Sequence, residues 1–350
     1  MKTLSRLALL FVGALFLANP ADAQTTALRG ARIIDGSGGA PLDSATIIIS
    51  NGRIVAIGPS ASTPVPSGAE VVDYSGKTII PGLISVHSHL GIQNALTSSP
   101  DNYNRAFILK QLKQYEAYGV TTVTSLGLNG PLFYELRAEL HSGSVPGADI
   151  FGADRGIGVI NGAPPATIVN IADNQLYRPT TPEAAREAVR EMAARKTDFI
   201  KVWLDSFGGM LPVKVAPEVF QAVIDEAHKA NIRVTAHVYE LEDAKAILRA
   251  GVDIIAHGVR DKPVDAEFIQ MMKAKSAWYV ATAVLDDTNF VFAENPPWVQ
   301  EPFFQRAFHP AMLALFNDPA WREKALASPG AAKAKASLVN RPGFVGGSNS

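Results

Sequence analysis

The sequence predicts an α/β protein, a (β/α)8 TIM-type barrel lacking its eighth strand, behind a small N-terminal β-sandwich-like domain. Three observations carry this. From Gly82 onward, short and nearly continuous apolar runs alternate with helical segments, the pattern of a parallel sheet covered by helices. Seven such runs follow one another, which points to a barrel rather than an open sheet. Ahead of them the pattern is β, broken by turn residues.

In chain order, residues 1–23 read as a secretory signal. Lys2 and Arg6 form a basic start, Leu7 to Ala18 is an apolar run, and Ala21-Asp22-Ala23 offers small residues for cleavage before Gln24. The run falls short of the ~20 residues a membrane span needs, so the expectation is a secreted or periplasmic protein with no stable membrane insertion. Residues 24–81 form the small β domain. There Thr46–Ser50 and Arg53–Gly58 flank Asn51-Gly52, a strong hairpin signal, and Val71–Tyr74 and Thr78–Ile80 add short strands. Residues 82–337 form the incomplete barrel. Its strands are expected at Leu83–Val86, Val120–Leu126, Asp149–Gly152, Phe199–Leu204, Arg233–Val238, Asp253–Ala256 and Trp278–Leu285. Helices are expected at Arg105–Tyr118, Pro182–Arg195 with Thr181 as N-cap, Pro217–Ala230, and Leu241–Ala250 closed by Gly251. Residues 338–350 read as an irregular tail.

Composition agrees. The 350 residues are 47% apolar and 19% charged, enough to bury a sizeable core. The net charge of −1 gives no electrostatic case for nucleic acid or an anionic membrane. There is no cysteine, so disulfides, thiolate metal sites and cysteine nucleophiles are excluded. No Gly-x-Gly-x-x-Gly follows the first barrel strand, which argues against dinucleotide binding.

The chemistry-bearing residues lie at strand ends. His87 and His89 close the first barrel strand, two apart and so on one face. A lone His-x-His is weak evidence for a metal. His237 ends the fifth strand and His257 the sixth, and in a barrel all such ends meet at one rim. Independent core histidines have no reason to fall at equivalent ends of three strands, so together the four point to metal binding. Lys201 interrupts the apolar run Phe199–Leu204, where an ammonium is costly unless neutralised or modified. It is read either as an ion pair with Asp205 or as a metal ligand, and the histidines favour the ligand. His141 and His228 fall near the ends of outer helices, away from that rim. Asp286 and Asp287 follow the seventh strand, where a turn or cap role is commoner than catalysis.

On these residues the chain resembles the amidohydrolase superfamily, in particular imidazolonepropionase-like proteins and metal-dependent Xaa-Pro dipeptidases. The matching text is Lys77–Ile84 leading to His87-Ser88-His89, then Gly119–Val123, Gly152–Gly158, Ile200–Trp203, Ala236–Tyr239 and Ala250–Gly258. The resemblance implies two divalent metal ions, usually zinc. His87 and His89 would bind one, His237 and His257 the other, and a carbamate formed on Lys201 from CO2 would bridge them. It implies that the metals make a water nucleophilic and that Lys201, His237 and His257 serve this activation. It further suggests Tyr239 and Arg155 as substrate-binding residues.

The implied activity is hydrolysis of a carbon–nitrogen bond in a small amide, such as an N-acyl amino acid, dipeptide or cyclic amide. The family's Gly-Thr-Asp segment, whose Asp moves the proton, has no counterpart here. The expectation is therefore a truncated or frameshifted member with weak activity, since losing a general acid–base group costs about 10²–10⁴-fold. A non-catalytic metal-binding member and a single-metal deaminase stay open as alternatives. So do the exact substrate and the oligomeric state, a homo-oligomer included.

Overall fold

Asn51 and Gly52 both take positive φ, 53° and 70°, and so form the tight turn that the hairpin signal predicted. That turn belongs to a computed structural model, which describes residues 25–282 and 284–339. The signal expected over residues 1–23 and most of the tail lie outside the described residues. The chain divides into two compact units at Pro81/Gly82.

In the first unit, β1 (Thr25–Ile33), β2 (Leu42–Ser50), β3 (Arg53–Pro59), β4 (Glu70–Asp73) and β5 (Thr78–Ile79) form one five-stranded mixed sheet. β1 pairs antiparallel with β2 and parallel with β4 and β5. Ala31, Ile33, Ala45 and Ile47 make its small core. The described residues supply a single sheet, so the β-sandwich expectation reduces to one mixed layer.

The second unit is the barrel sheet. Its strands are β6 (Leu83–Ser88), then, beyond the ribbon β7 (Gln93–Asn94) and β8 (Thr97–Ser98), β9 (Val120–Leu126), β10 (Asp149–Ala153), β11 (Phe199–Trp203), β12 (Arg233–His237), β13 (Ile254–Ala256) and β14 (Trp278–Val280). Among the described residues, seven strands lie in the order β14-β13-β12-β11-β10-β9-β6, and each neighbouring pair runs parallel. β6 and β14 are the edges of this open barrel. The expected strands are thus all present, with ends shifted by one or two residues except the last.

That exception has a local cause. The apolar run Trp278–Leu285 leaves the sheet after Val280. Thr282 takes φ 44°, and the Leu285 N–H donates to the Thr282 carbonyl at 2.9 Å, closing a turn. An edge strand has a neighbour on one side only, and Val284 and Leu285 stay exposed, so burial does not extend the strand.

The helices are α1 (Arg105–Ala117), α2 (Leu132–His141), α3 (Pro182–Ala194), α4 (Pro217–Lys229), α5 (Leu241–Ala250) and α6 (Ala266–Ala274). Thr181 caps α3 through the Ala184 N–H, with Pro182 at its first position, and Gly251 closes α5 with φ 104°. The sequence reading set no bounds for α2 or α6, although it expected His141 near a helix end, where α2 does end. Asp265 nevertheless caps α6 through the Phe268 N–H. Five short helices follow: α7 (Val291–Glu294), α8 (Pro302–Gln305), α9 (Pro310–Phe316), α10 (Pro319–Leu326) and α11 (Pro329–Val339). No helix of the described residues is long and apolar enough to cross a membrane.

The alternation within strands sorts the side chains. Ile200, Val202, Val234, Ala236 and Ile255 pack against Val189, Val223, Ile247 and Leu248 of the helices, in the largest core cluster. Their neighbours Lys201, Trp203, Thr235 and His237 take the opposite face, the barrel interior. Register aligns Lys201 with Thr235 and with Ile254 one strand on. One layer higher, Trp203, His237, Ala256 and Val280 align.

Candidate metal centre

Period-two alternation brings His87 and His89 inward from the end of β6, and the register brings His237 to the same rim. His257 arrives one residue after β13. Its backbone takes φ 72°, a left-handed conformation costly for a residue with a Cβ, while its N–H still donates to the Val280 carbonyl at 2.9 Å. The surrounding strands hold this conformation, which turns the imidazole at the strand's end.

The four rings meet. His87 and His257 have ring centroids 4.2 Å apart, His237 and His257 4.4 Å, and His87 and His89 5.3 Å. The Nε2 atoms of His87 and His89 are 3.3 Å apart. That separation equals the edge of a tetrahedron whose corners lie about 2.0–2.1 Å from a central ion, roughly 3.3 Å. The His89 Nδ1 faces the Gly127 carbonyl at 3.4 Å. A carbonyl only accepts, so this Nδ1 is the donor and the Nε2 keeps its lone pair for a cation. The Nδ1 of His257 pairs with the Thr282 hydroxyl at 2.9 Å, steadying that ring in the same way.

Beneath them Lys201 is fully buried, its Nζ 5.2 Å from the Trp203 ring. The ion pair with Asp205 that the sequence allowed is not formed. Asp205 instead approaches the His237 Nε2, 3.5 Å from its Oδ2, and accepts from the Phe207 N–H at 3.1 Å. Lys201 Nζ, His237 Nε2, His87 Nδ1, Asp205 Oδ2 and Thr235 Oγ1 are buried without a hydrogen-bond partner. Such orphans are costly, and several at one place mark a site built to receive something.

Burial sets the protonation states. It pushes His89 down to about 3, helped by the Lys201 charge. It holds His87, His237 and His257 well below the usual imidazole value, with further lowering from Lys201, Arg260 and one another. It lowers the Lys201 amine to about 7 against the opposing pull of Asp205, and raises the Asp205 carboxyl to about 7. Neutral imidazoles and a neutral amine are the forms that ligate cations. The donor set therefore fits a divalent metal in type, burial and protonation. Its side chains are not yet gathered around a single point, for no three His, Asp or Glu groups among the described residues form a metal-holding cluster.

The other candidates separate from this cluster. Arg155 donates to the Tyr177 hydroxyl at 3.0 Å and stacks on its ring, while its Nε is buried without a partner. Tyr239 lies between two cations, the Arg260 guanidinium at 4.7 Å and the Lys333 ammonium at 4.6 Å from its ring. His141 pairs at 3.2 Å with Asp149, which opens β10, His228 at 2.9 Å with Asp253, just before β13, and His309 caps α9. Asp286 stands 3.5 Å from Arg260. Sequence reasoning missed Thr235, Thr282 and Arg260. Their only signal is position: Thr235 faces the barrel interior midway along β12, and Thr282 and Arg260 lie just beyond the ends of β14 and β13.

A model of the amidohydrolase family matches residues 78–295, more than half of the chain. An uncharacterized protein of Mycobacterium bovis is 38% identical over 74 residues, 20% of this chain and 20% of that protein. The ochratoxinase of Aspergillus niger is 26% identical over 305 residues, covering 77% of this chain and 61% of that protein. The chain thus spans less than two thirds of the length of these curated relatives. A Xaa-Pro dipeptidase solved with methionine in its active site superposes with a TM-score of 0.65 at 22% identity, over 91% of this chain and 77% of that one. That likeness is one of fold.

Proposed function

The chain belongs to the amidohydrolase family, and on that premise we propose that it is a metal-dependent hydrolase of a carbon–nitrogen bond in a small N-acyl amino acid, dipeptide or cyclic amide. The observation that carries the proposal is the meeting of four imidazoles, two buried (His237, His257) and two half-buried (His87, His89), with the fully buried amine of Lys201 at the C-terminal rim of β6, β11, β12 and β13, with partnerless donor atoms among them. The family is usually metal-dependent, and proteins similar to this chain include a Xaa-Pro dipeptidase and an ochratoxinase.

In this reading His87 and His89 hold one divalent cation and His237 and His257 a second, with Lys201 between them. A divalent metal bound there would supply Lewis acidity toward a carbonyl oxygen and an acidified water. The protein's own contribution is to keep its donors neutral and dry. Lys201, with a pKa near 7, is substantially unprotonated at neutral pH, so its amine can add to CO2. The N–C bond would form at the neutral amine, the nitrogen would release one proton, and Lys201 would become an anionic carbamate. That conversion removes the cost of a buried ammonium. Asp205, 3.5 Å from His237, keeps a carboxyl raised toward neutrality at the edge of the same cluster.

The test is metal content together with turnover. Protein purified from metal-supplemented cells is expected to carry transition metal and to hydrolyse members of a panel of N-acyl amino acids and Xaa-Pro dipeptides. The His237→Ala variant is expected to lose both. Absence of metal from the parent protein overturns the proposal. Metal without turnover on any substrate supports instead a member that kept its ligands and lost its chemistry.

A further inference from the structure

We propose that Arg260, assisted by Lys333 across the ring of Tyr239, is the subsite for a substrate carboxylate. The site then prefers acyl amino acids or dipeptides with a free carboxylate over neutral amides. This rests on the preceding reading of the histidine cluster as the reacting centre.

Arg260 lies three residues past His257, and Tyr239 two past His237, so both sit on loops at the rim that carries the histidines. The Arg260 N–H donates to the Tyr239 carbonyl at 2.9 Å, which ties the two loops together. The guanidinium stacks on the Tyr239 ring, and Lys333 of α11 reaches the same ring. Two cations thus share one aromatic ring beside the metal site. The Arg260 charge is felt at His87, His237 and His257, which places it within electrostatic reach of the cluster.

The donors of Arg260 are poorly used. Its side chain is only 13% exposed, yet its contacts are one to the Asp286 carboxylate at 3.5 Å and one to the Val238 carbonyl at 3.4 Å. The Nε is buried without a partner. A guanidinium has five N–H donors and makes strong bonds to carboxylates at about 2.7–2.9 Å, commonly two at once. Holding it this deep with two long contacts is costly unless a further acceptor arrives. Among the described residues no carboxylate pairs with Lys333. Arg155, the other candidate for this task, also keeps a buried Nε without a partner, but its guanidinium donates to and stacks on Tyr177, whereas that of Arg260 stacks on Tyr239, two residues past the ligand candidate His237. A planar carboxylate is the group that the free fork of Arg260 matches.

The test is calorimetric binding of N-acetyl-L-phenylalanine and of its neutral carboxamide to the metal-supplemented protein. The acid is expected to bind about tenfold more tightly or better. Arg260→Ala should erase the difference. Arg260→Lys should keep part of it, because the charge stays while the fork is lost, and Lys333→Met should reduce it by a smaller factor. Equal binding of acid and carboxamide, no binding of either, or an unchanged ratio in Arg260→Ala overturns the inference. If Arg260→Ala fails to fold, Arg260→Lys and the surface variant Lys333→Met decide, and an unchanged ratio in both counts against it. Hydrolysis is followed on the same samples. Turnover without discrimination leaves the proposed function and removes this subsite, whereas discrimination without turnover does the reverse.

Discussion

The middle of the barrel and its two edges differ in how firmly they hold what they carry. β11, β12 and β13 have neighbours on both sides, and their outward residues disappear beneath α3, α4 and α5. β6 and β14 each have one neighbour. Ile84 of β6 is 62% exposed and Trp278 of β14 68% exposed, and the pairing of β6 with β9 slips register twice. The site draws on both regions. Lys201, His237 and the approach to His257 come from the middle, whereas His87 and His89 come from an edge. One half of the candidate centre is therefore built on rigid, doubly supported strands and the other on a strand that only local contacts restrain.

Four measurements break or sharpen this contrast. The largest effect is expected in the core of the middle. Ile247→Ala removes a fully buried side chain between α5 and the sheet, and should cost about 2–5 kcal/mol in urea unfolding. A loss below about 1 kcal/mol would show that the middle is no better packed than the edges.

Next come the ligands. His237→Ala should weaken metal binding at least about a hundredfold, because even outer partners of a ligand are typically worth 10–100-fold. His89→Ala should leave the metal of the middle in place, so that bound metal per chain falls but does not vanish. If His89→Ala strips the protein of all metal, the two halves are not separable.

Removing the hydroxyl behind a ligand should do less. Thr282→Val takes away the partner of His257 Nδ1, and roughly a tenfold loss of metal affinity is expected in a competition titration with a chelating dye. Unchanged affinity would mean that the strained backbone of His257 alone fixes its ring.

The smallest effect belongs to the edge. Ile84→Ala should shift stability by no more than about 0.5 kcal/mol, since the side chain is largely in water. A cost approaching that of Ile247→Ala would reveal that the face of β6 is covered in solution.

Much of this was legible without a structure. The alternation of apolar strands and helices gave the parallel sheet and its seven strands, because a strand buried on both faces needs an unbroken apolar run. The spacing of His87 and His89, and the strand-end positions of His237 and His257, announced the cluster, because period two and parallel direction are local properties. α2 was legible only as a helix ending near His141, and α6 and the helices after β14 were not legible, since their apolar residues follow no helical period clear enough to outweigh the loops between them. Thr235, Thr282 and Arg260 carry no motif at all. They matter through atoms that come near only when separate strands are brought into register.

By itself the sequence determined which residues are extended, which side chains share a face, and that nitrogen donors would gather at one rim. The tertiary structure decided the rest. It left Lys201 without its ion pair, drew Asp205 toward His237, turned His257 through a left-handed backbone, and stacked Arg155 on Tyr177 and Arg260 on Tyr239. The reason is physical. Facing follows from the two-residue repeat of a single strand, whereas hydrogen-bond partners, burial and charge are set by distances between strands remote in the chain, and no local pattern encodes those distances.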